Sequence, residues 1–304
     1  MNRGEDIIFY STEEFKSNIL QTGAKFKPYK GIKNEFKIKN NSLFSTLWLN
    51  IKMTLKILEC NFLDIQKEST DYIIHDSMSV WGKIIGSKKK VPVINLMHSF
   101  PISKTSIPFN FTTLSFILKL YLYKIIIAYS KNDPVNQLKN KFGVTISLSD
   151  VLINKERLNI VYTSKFMQMK LYRNEDSYYF VGPSLFFKNV KTYLPVAKAN
   201  SRKIVYVSLG TLHNYNYTFY KKCLSSFKNK DFDVIISVGN RTDFDKLGDI
   251  SPNIYIQKSV NQQHLLKHVD LFITHAGMNS VNEAICNGVP MLLLPHHFEQ
   301  KLIA

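Results

Sequence analysis

Residues able to do chemistry crowd into one stretch, Asp270–Gln300, DLFITHAGMNSVNEAICNGVPMLLLPHHFEQ. Leu271–Thr274 is apolar or β-branched and reads as a buried strand. His275-Ala276-Gly277 reads as a tight turn and Asn279–Asn287 as a helix, which Gly288 closes before Val289–Leu294 returns as a strand. A strand that feeds a helix through a turn of small residues aims several unpaired N–H groups and a positive dipole end at one point, which suits a phosphate. Ser280 and Glu283 lie three apart and Asn279 and Glu283 four apart, so all three can share the helix face beside that point. An acid one turn in would repel a phosphate it touched, yet it can accept hydrogen bonds from ribose hydroxyls further along a nucleotide. The pattern therefore reads as a site for a nucleoside diphosphate. Taken singly the residues have plainer roles: His275 as a turn residue, Asn279-Ser280 as a helix cap and Glu283 as a solvated helix position. Their joint spacing outweighs those roles.

Such a site needs a parallel sheet under it, and the flanking sequence supplies one. Ile204–Val207, Val234–Val238 and Asn253–Ile256 read as strands, Tyr217–Phe227 and Gln262–His268 as helices, and Ser208-Leu209-Gly210-Thr211 as a turn. Open sheets of this kind bind ligands at the carboxyl ends of their strands, where both Gly210 and Gly277 fall. The first half alternates in the same way. Asp6–Tyr10 is read as a strand, Ser11–Glu14 as a helix start with capping-box spacing, and Ser42–Phe62 as a long amphipathic helix. A strand over Tyr72–Ile74 ends at His75-Asp76, Val80–Ile85 is a helix, and Val91–Leu96 is the next strand. Phe111–Tyr129 is apolar but carries Lys119 and Lys124, which favours an amphipathic helix over a membrane span. The expected fold is α/β with two doubly wound, Rossmann-like parallel-sheet domains.

A chain of 304 residues with 45% hydrophobic residues has room for two cores. The cysteines Cys60, Cys223 and Cys286 show neither pairing nor metal-ligand spacing, which fits free buried thiols and a reducing cytoplasm. The opening MNRGEDIIFY places charges where a signal peptide would be apolar. The net charge of +17 falls mostly in residues 1–200, with clusters around Lys25–Lys39 and Lys83–Lys90. No nucleic-acid motif accompanies it, so compositional bias is preferred to nucleic-acid binding, and membrane contact is an open but less favoured reading. A dehydrogenase is disfavoured because no strand-to-helix turn carries G-x-G-x-x-G.

The pattern H-x-G-x-N-S-x-x-E-A, then G-V-P, then Glu-Gln resembles the UDP-glycosyltransferase superfamily of GT-B fold, most nearly its bacterial macrolide-type branch. It is carried by His275, Gly277, Asn279, Ser280, Glu283, Ala284, Gly288, Val289, Pro290, Glu299 and Gln300. The resemblance extends to VYVSLGT at Val205–Thr211, Val260 with Gln262, IIHDSMSVWGK at Ile73–Lys83, VGPS at Val181–Ser184 and the opening NRGEDIIFYSTEEF. It implies two domains facing a cleft, with residues 1–187 binding acceptor, 188–202 as linker and 203–304 binding UDP-sugar.

The same resemblance implies UDP contacts from Gly210, Thr211, Val260, Gln262, His275, Gly277, Asn279, Ser280 and Glu283, and donor-sugar contacts from Glu299 and Gln300. It implies a hexose moved from UDP to the hydroxyl of a small apolar acceptor with inversion, without metal or cofactor. The base in such enzymes is a histidine after the first strand, oriented by an acid that matches Asp76. On this resemblance that histidine and the closing elements lie outside the sequence, which reads as a partial chain with its first strand missing and its second domain incomplete. His75 is no substitute, since neighbouring strand residues face opposite sides; His98, after a strand, is a minor candidate. Two alternatives stand beside the enzyme: an inactive remnant or nucleotide-binding pseudoenzyme, and a peripheral membrane glycolipid transferase.

Overall fold

The computed structural model describes residues 4–32, 43–101, 118, 122, 133–168, 176–185, 202–210, 215–240, 242–296 and 298–304. The linker reading at 188–201, most of Phe111–Tyr129, and Thr211 lie outside them. The chain divides into two compact units, Met1–Val161 with Lys170–Tyr179, and Tyr162–Met169 with Phe180–Ala304.

In the first unit β1 (Ile8–Ser11) and β2 (Lys25–Pro28) pair in parallel. A second sheet has the order β3-β4-β5-β6, from β3 (Ile73–Asp76), β4 (Val93–Met97), β5 (Leu158–Val161) and β6 (Tyr178–Phe180). β3 with β4 and β4 with β5 are parallel. The helices are α1 (Lys16–Gln21), α2 (Leu43–Lys67), α3 (Val80–Lys89), α4 (Pro134–Phe142) and α5 (Leu148–Ile153). Leu47, Ile51, Leu55 and Leu58 recur along α2 at helical spacing, and they are buried in one core with Trp81, Ile84 and Ile85 of α3, Leu138 of α4 and Val151 of α5.

One expectation at the start of the chain needs correction, and one element there went unread. Ser11–Glu14 forms no capping box: Thr12 makes no side-chain cap, and a 3-10 turn over Glu13–Phe15 precedes α1. β2 was not foreseen at all. Its sequence KFKP puts lysines at its exposed first position and its half-buried third, so it reads as a charge cluster rather than a strand.

The second unit holds a five-stranded sheet of order β11-β10-β7-β8-β9, parallel throughout. Its strands are β7 (Lys203–Ser208), β8 (Phe232–Ser237), β9 (Ile254–Gln257), β10 (Leu271–Thr274) and β11 (Met291–Leu293). The helices are α6 (Tyr217–Phe227), α7 (Gln262–Leu265), α8 (Met278–Cys286) and α9 (Phe298–Ile303). Both faces of the sheet are covered. Val205, Val207, Val234 and Ile236 pack with Tyr220 and Leu224 of α6, while Tyr206, Ile235 and Phe272 pack with Leu265, Leu266 and Ala284. Tyr206 and Phe272 are register partners on neighbouring strands and stack at 4.7 Å between centroids, a geometry that adds about 0.5–1.5 kcal/mol to their burial. From β7 the chain builds outward to β8 and β9, then returns to the other side of β7 with β10 and β11. The boundary between β7 and β10 is therefore the topological switch point, where the loops leaving two adjacent strands diverge and leave a crevice.

Among the described residues no helix is long and apolar enough to cross a membrane. The cysteines are free, but not all are buried as expected. Cys223 is buried, Cys60 is intermediate and Cys286 is exposed on the last turn of α8, away from the Ala284 face that packs on the sheet. Burial pushes the Cys223 thiol up to about 11, so it stays protonated and unreactive at neutral pH. Iodoacetamide at pH 8 should alkylate Cys286 well before Cys223, read by peptide mass spectrometry; equal rates would mean that the α6 face opens readily.

Candidate functional site

The first side of the crevice is the loop after β7, where Gly210 takes φ 77°, a left-handed conformation suited to glycine. The second is the turn after β10, where buried Ala276 also adopts a positive φ, 63°. Between them lies the His275 ring. A Cβ on Gly210 would stand 2.4 Å from His275 Cε1, and a Cβ on Gly277 would stand 2.5 Å from His275 Nε2. Two glycines thus leave the slot that the imidazole fills. Gly277 has φ −69°, which alanine adopts without strain, so Gly277→Ala is a steric test. We expect the ring to turn aside, UDP binding to weaken by about tenfold for one charge-assisted contact, and the melting temperature to move little. Unchanged affinity in calorimetry would separate His275 from the phosphates.

Gly277 is the N-cap of α8 and no side chain caps that end, so the N–H groups of its first turn remain available to an anion, at the positive pole of a nine-residue helix. One turn further in, Glu283 is gripped from α7. Gln262 Nε2 donates to Glu283 Oε2 at 2.7 Å and to Ser280 Oγ at 3.1 Å, and Gln263 Nε2 donates to Glu283 Oε1 at 3.2 Å. Gln262 is itself held by the Tyr206 hydroxyl, which donates to its Oε1 at 3.1 Å. Burial pushes the Tyr206 phenol up to about 12, so it remains a donor across the physiological range. Each carboxylate oxygen of Glu283 accepts one bond and keeps lone pairs for a further donor, such as one hydroxyl of a ribose diol.

The structure thus gathers Gly210, Gln262, His275, Gly277, Ser280 and Glu283 around the β7–β10 crevice. Val260 is half-buried against the core on the Tyr206 face. Asn279 is exposed and is not drawn into the Ser280–Glu283 pair. Glu299 is exposed, and Gln300 Oε1 accepts the His296 N–H at 2.8 Å, which shapes the loop before α9. Gln263 and Tyr206 escaped sequence reasoning, although Gln263 follows Gln262 and a polar tip on a buried strand residue was a usable signal.

Asp76 ends β3 in the first unit. Its Oδ1 accepts the Met78 N–H at 2.8 Å and its Oδ2 lies 3.5 Å from His98 Nε2. His75 points to the opposite, buried side of the strand, as the alternation of strand residues requires. A carboxylate beside an imidazole nitrogen can orient the ring.

A doubly wound parallel sheet with an uncapped helix start and a clamped acid at its switch point fits the GT-B architecture. Comparison with known proteins gives the family. A family model described as "UDP-glucoronosyl and UDP-glucosyl transferase" matches residues 190–303. The NDP-glycosyltransferase YjiC of Bacillus subtilis (strain 168) is 32% identical over 309 residues, covering 99% of this chain and 75% of that protein. The demethyllactenocin mycarosyltransferase of Streptomyces fradiae is 22% identical over 327 residues, covering 99% of this chain and 67% of its own length. The chain belongs to the UDP-glycosyltransferase family and is a glycosyltransferase. Among solved structures, the glycotransferase of kitacinnamycin superposes with a TM-score of 0.78 at 19% identity, covering 100% of this chain and 76% of the other. A UDP-glucose:anthocyanidin 3-O-glucosyltransferase in complex with UDP gives 0.63 at 19% identity, with the same coverage.

Proposed function

We propose that this protein moves a hexose from UDP to a hydroxyl group of a small, largely apolar acceptor, with inversion at the anomeric carbon. The observation that carries the donor half is Glu283, held by Gln262 and Gln263 one turn inside an uncapped helix start. In this reading the α8 N–H groups and His275 take the diphosphate and Glu283 takes the ribose hydroxyls. The backbone near Val260 takes the uracil, and Glu299 and Gln300 take the sugar. The acceptor oxygen attacks C1 from the side opposite the diphosphate. The new C1–O bond forms as the C1–O(phosphate) bond breaks, the leaving diphosphate keeps the electron pair, and the acceptor proton passes to an imidazole. Asp76 orients that imidazole, and His98 is the one within its reach among the described residues.

The helix dipole supplies positive charge at the leaving group, so the proposal includes no metal or cofactor. Relatives named for demethyllactenocin and kitacinnamycin support a small-molecule acceptor. A cytoplasmic setting belongs to the same proposal, supported by three free thiols. The test is incubation with UDP-glucose and a panel of phenolic and macrolide alcohols, with glycoside and UDP measured together. No glycoside from any acceptor while UDP binds normally would turn the reading toward a nucleotide-binding pseudoenzyme.

A further inference from the structure

Three successive carbonyls of the loop that carries Asp76 are each taken by a buried side chain. His75 Nδ1 lies 2.8 Å from Asp76 O, Asn154 Nδ2 donates to Ser77 O at 2.7 Å, and Asn50 Nδ2 donates to Met78 O. Behind this row His75, Asn95 and Asn159 are register partners across β3, β4 and β5, so they share one face of the sheet. Asn95 Nδ2 donates to Asn154 O at 2.9 Å and to Asn159 Oδ1 at 3.1 Å, which ties the row together. Gly82 of α3 makes space for it: a Cβ there would stand 2.4 Å from His75 Cβ.

Within this network His75 Nε2 and Glu156 Oε1 are buried and have no hydrogen-bond partner among the described residues, and they face each other at 3.6 Å. With a proton on Nδ1 for the Asp76 carbonyl, a neutral ring would set its Nε2 lone pair against a carboxylate oxygen. Two buried acceptors face to face are costly, and one proton on Nε2 satisfies both. The charged groups around the ring decide where that proton sits. From α3, Lys83 Nζ lies 3.5 Å from the same Glu156 oxygen, so a positive charge already stands beside it. Among the described residues β4 sets the neutral Asn95 beside the ring, and on β3 the Asp76 carboxylate lies on the far side of the strand.

We propose that His75 is an imidazolium locked between the Asp76 carbonyl and the Glu156 carboxylate, and that this buried ion pair, with Asn154 and Asn50, positions the Asp76 carboxylate. His75 is a positioning residue. It works through the backbone of its neighbour and touches no reacting atom. The inference rests on the reading of Asp76 given above.

The first test is the protonation state of His75 in the full chain, read from ring 15N shifts at pH 7 and assigned by its loss in His75→Gln. Both ring nitrogens should be protonated; one unprotonated nitrogen overturns the ion pair, and this measurement needs no variant to be active. The second test is Glu156→Gln, which keeps shape and removes charge. His75 should lose its second proton and kcat should fall by about tenfold for a misplaced catalytic group, with the KM for UDP-glucose unchanged and partial recovery in Glu156→Asp. An unchanged kcat in a folded Glu156→Gln protein that has lost the proton overturns the positioning role. If Asp76→Asn leaves turnover intact, the Asp76 reading fails, and the 15N spectrum still decides the ion pair.

Discussion

Asp76→Asn is expected to lower turnover by about 10²–10⁴-fold, the usual contribution of positioned acid–base catalysis, while UDP affinity stays at the wild-type level. The substitution keeps the shape of the side chain and an oxygen for the Met78 N–H, so the loop should hold. What it removes is the charge beside His98 Nε2. Without that charge the imidazole loses its preferred tautomer and the stabilisation of the imidazolium formed as the acceptor proton arrives. Initial rates with UDP-glucose and a phenolic acceptor, set beside calorimetric UDP binding, separate the two effects. His98→Asn adds a second axis. A matching loss makes His98 the base, whereas full turnover in His98→Asn beside a crippled Asp76→Asn shows that Asp76 serves another histidine. Wild-type turnover in Asp76→Asn removes Asp76 from the mechanism.

Glu283→Ala should weaken UDP by roughly 1.5–3 kcal/mol, about 10- to 150-fold in Kd, and leave inorganic pyrophosphate binding almost unchanged. The carboxylate is pre-set by Gln262 and Gln263, so little ordering cost falls on the nucleotide. The substitution takes the Glu283 acceptor from Gln263 Nε2, while Gln262 Nε2 keeps Ser280 Oγ. dTDP lacks the 2′-hydroxyl, so the wild-type protein should prefer UDP and the variant should lose the preference. Equal UDP affinity in the two proteins would end the ribose assignment.

Local signals carried much of this fold into view. The α6 bounds match the periodicity of Tyr217–Phe227, because Asn216 caps the helix and its Oδ1 accepts the Phe219 N–H at 3.0 Å. The turn, helix and strand after Leu271 were equally readable, since small residues and Gly288 mark the breaks. α4 and α5 went unread although their signals were present. Asp133 caps α4 with Pro134 in its first turn and Gly143 at its end, and Ser147 with Asp150 forms the capping box that Ser11–Glu14 only imitates. At the site, Glu283 was legible from spacing along one helix. Its partners were not: Gln262 and Gln263 reach it across about twenty positions of sequence, and Tyr206 enters through a strand whose place beside β10 is set by the sheet order. Asp76 was likewise found by resemblance. Its nearness to His98 depends on β3 and β4 lying side by side in register.

The segment Tyr162–Met169 has a consequence for anyone who recombines this enzyme with its relatives. Although it stands far ahead of β7 in sequence, it belongs to the second unit, and the buried Asn282 of α8 donates its side-chain amide to Tyr162 O at 3.2 Å. A hybrid joined anywhere after residue 180 would set a foreign Tyr162 segment against the helix that carries Ser280 and Glu283. A graft that moves both pieces together keeps that amide bonded, so the second unit travels as two separated stretches of gene rather than one.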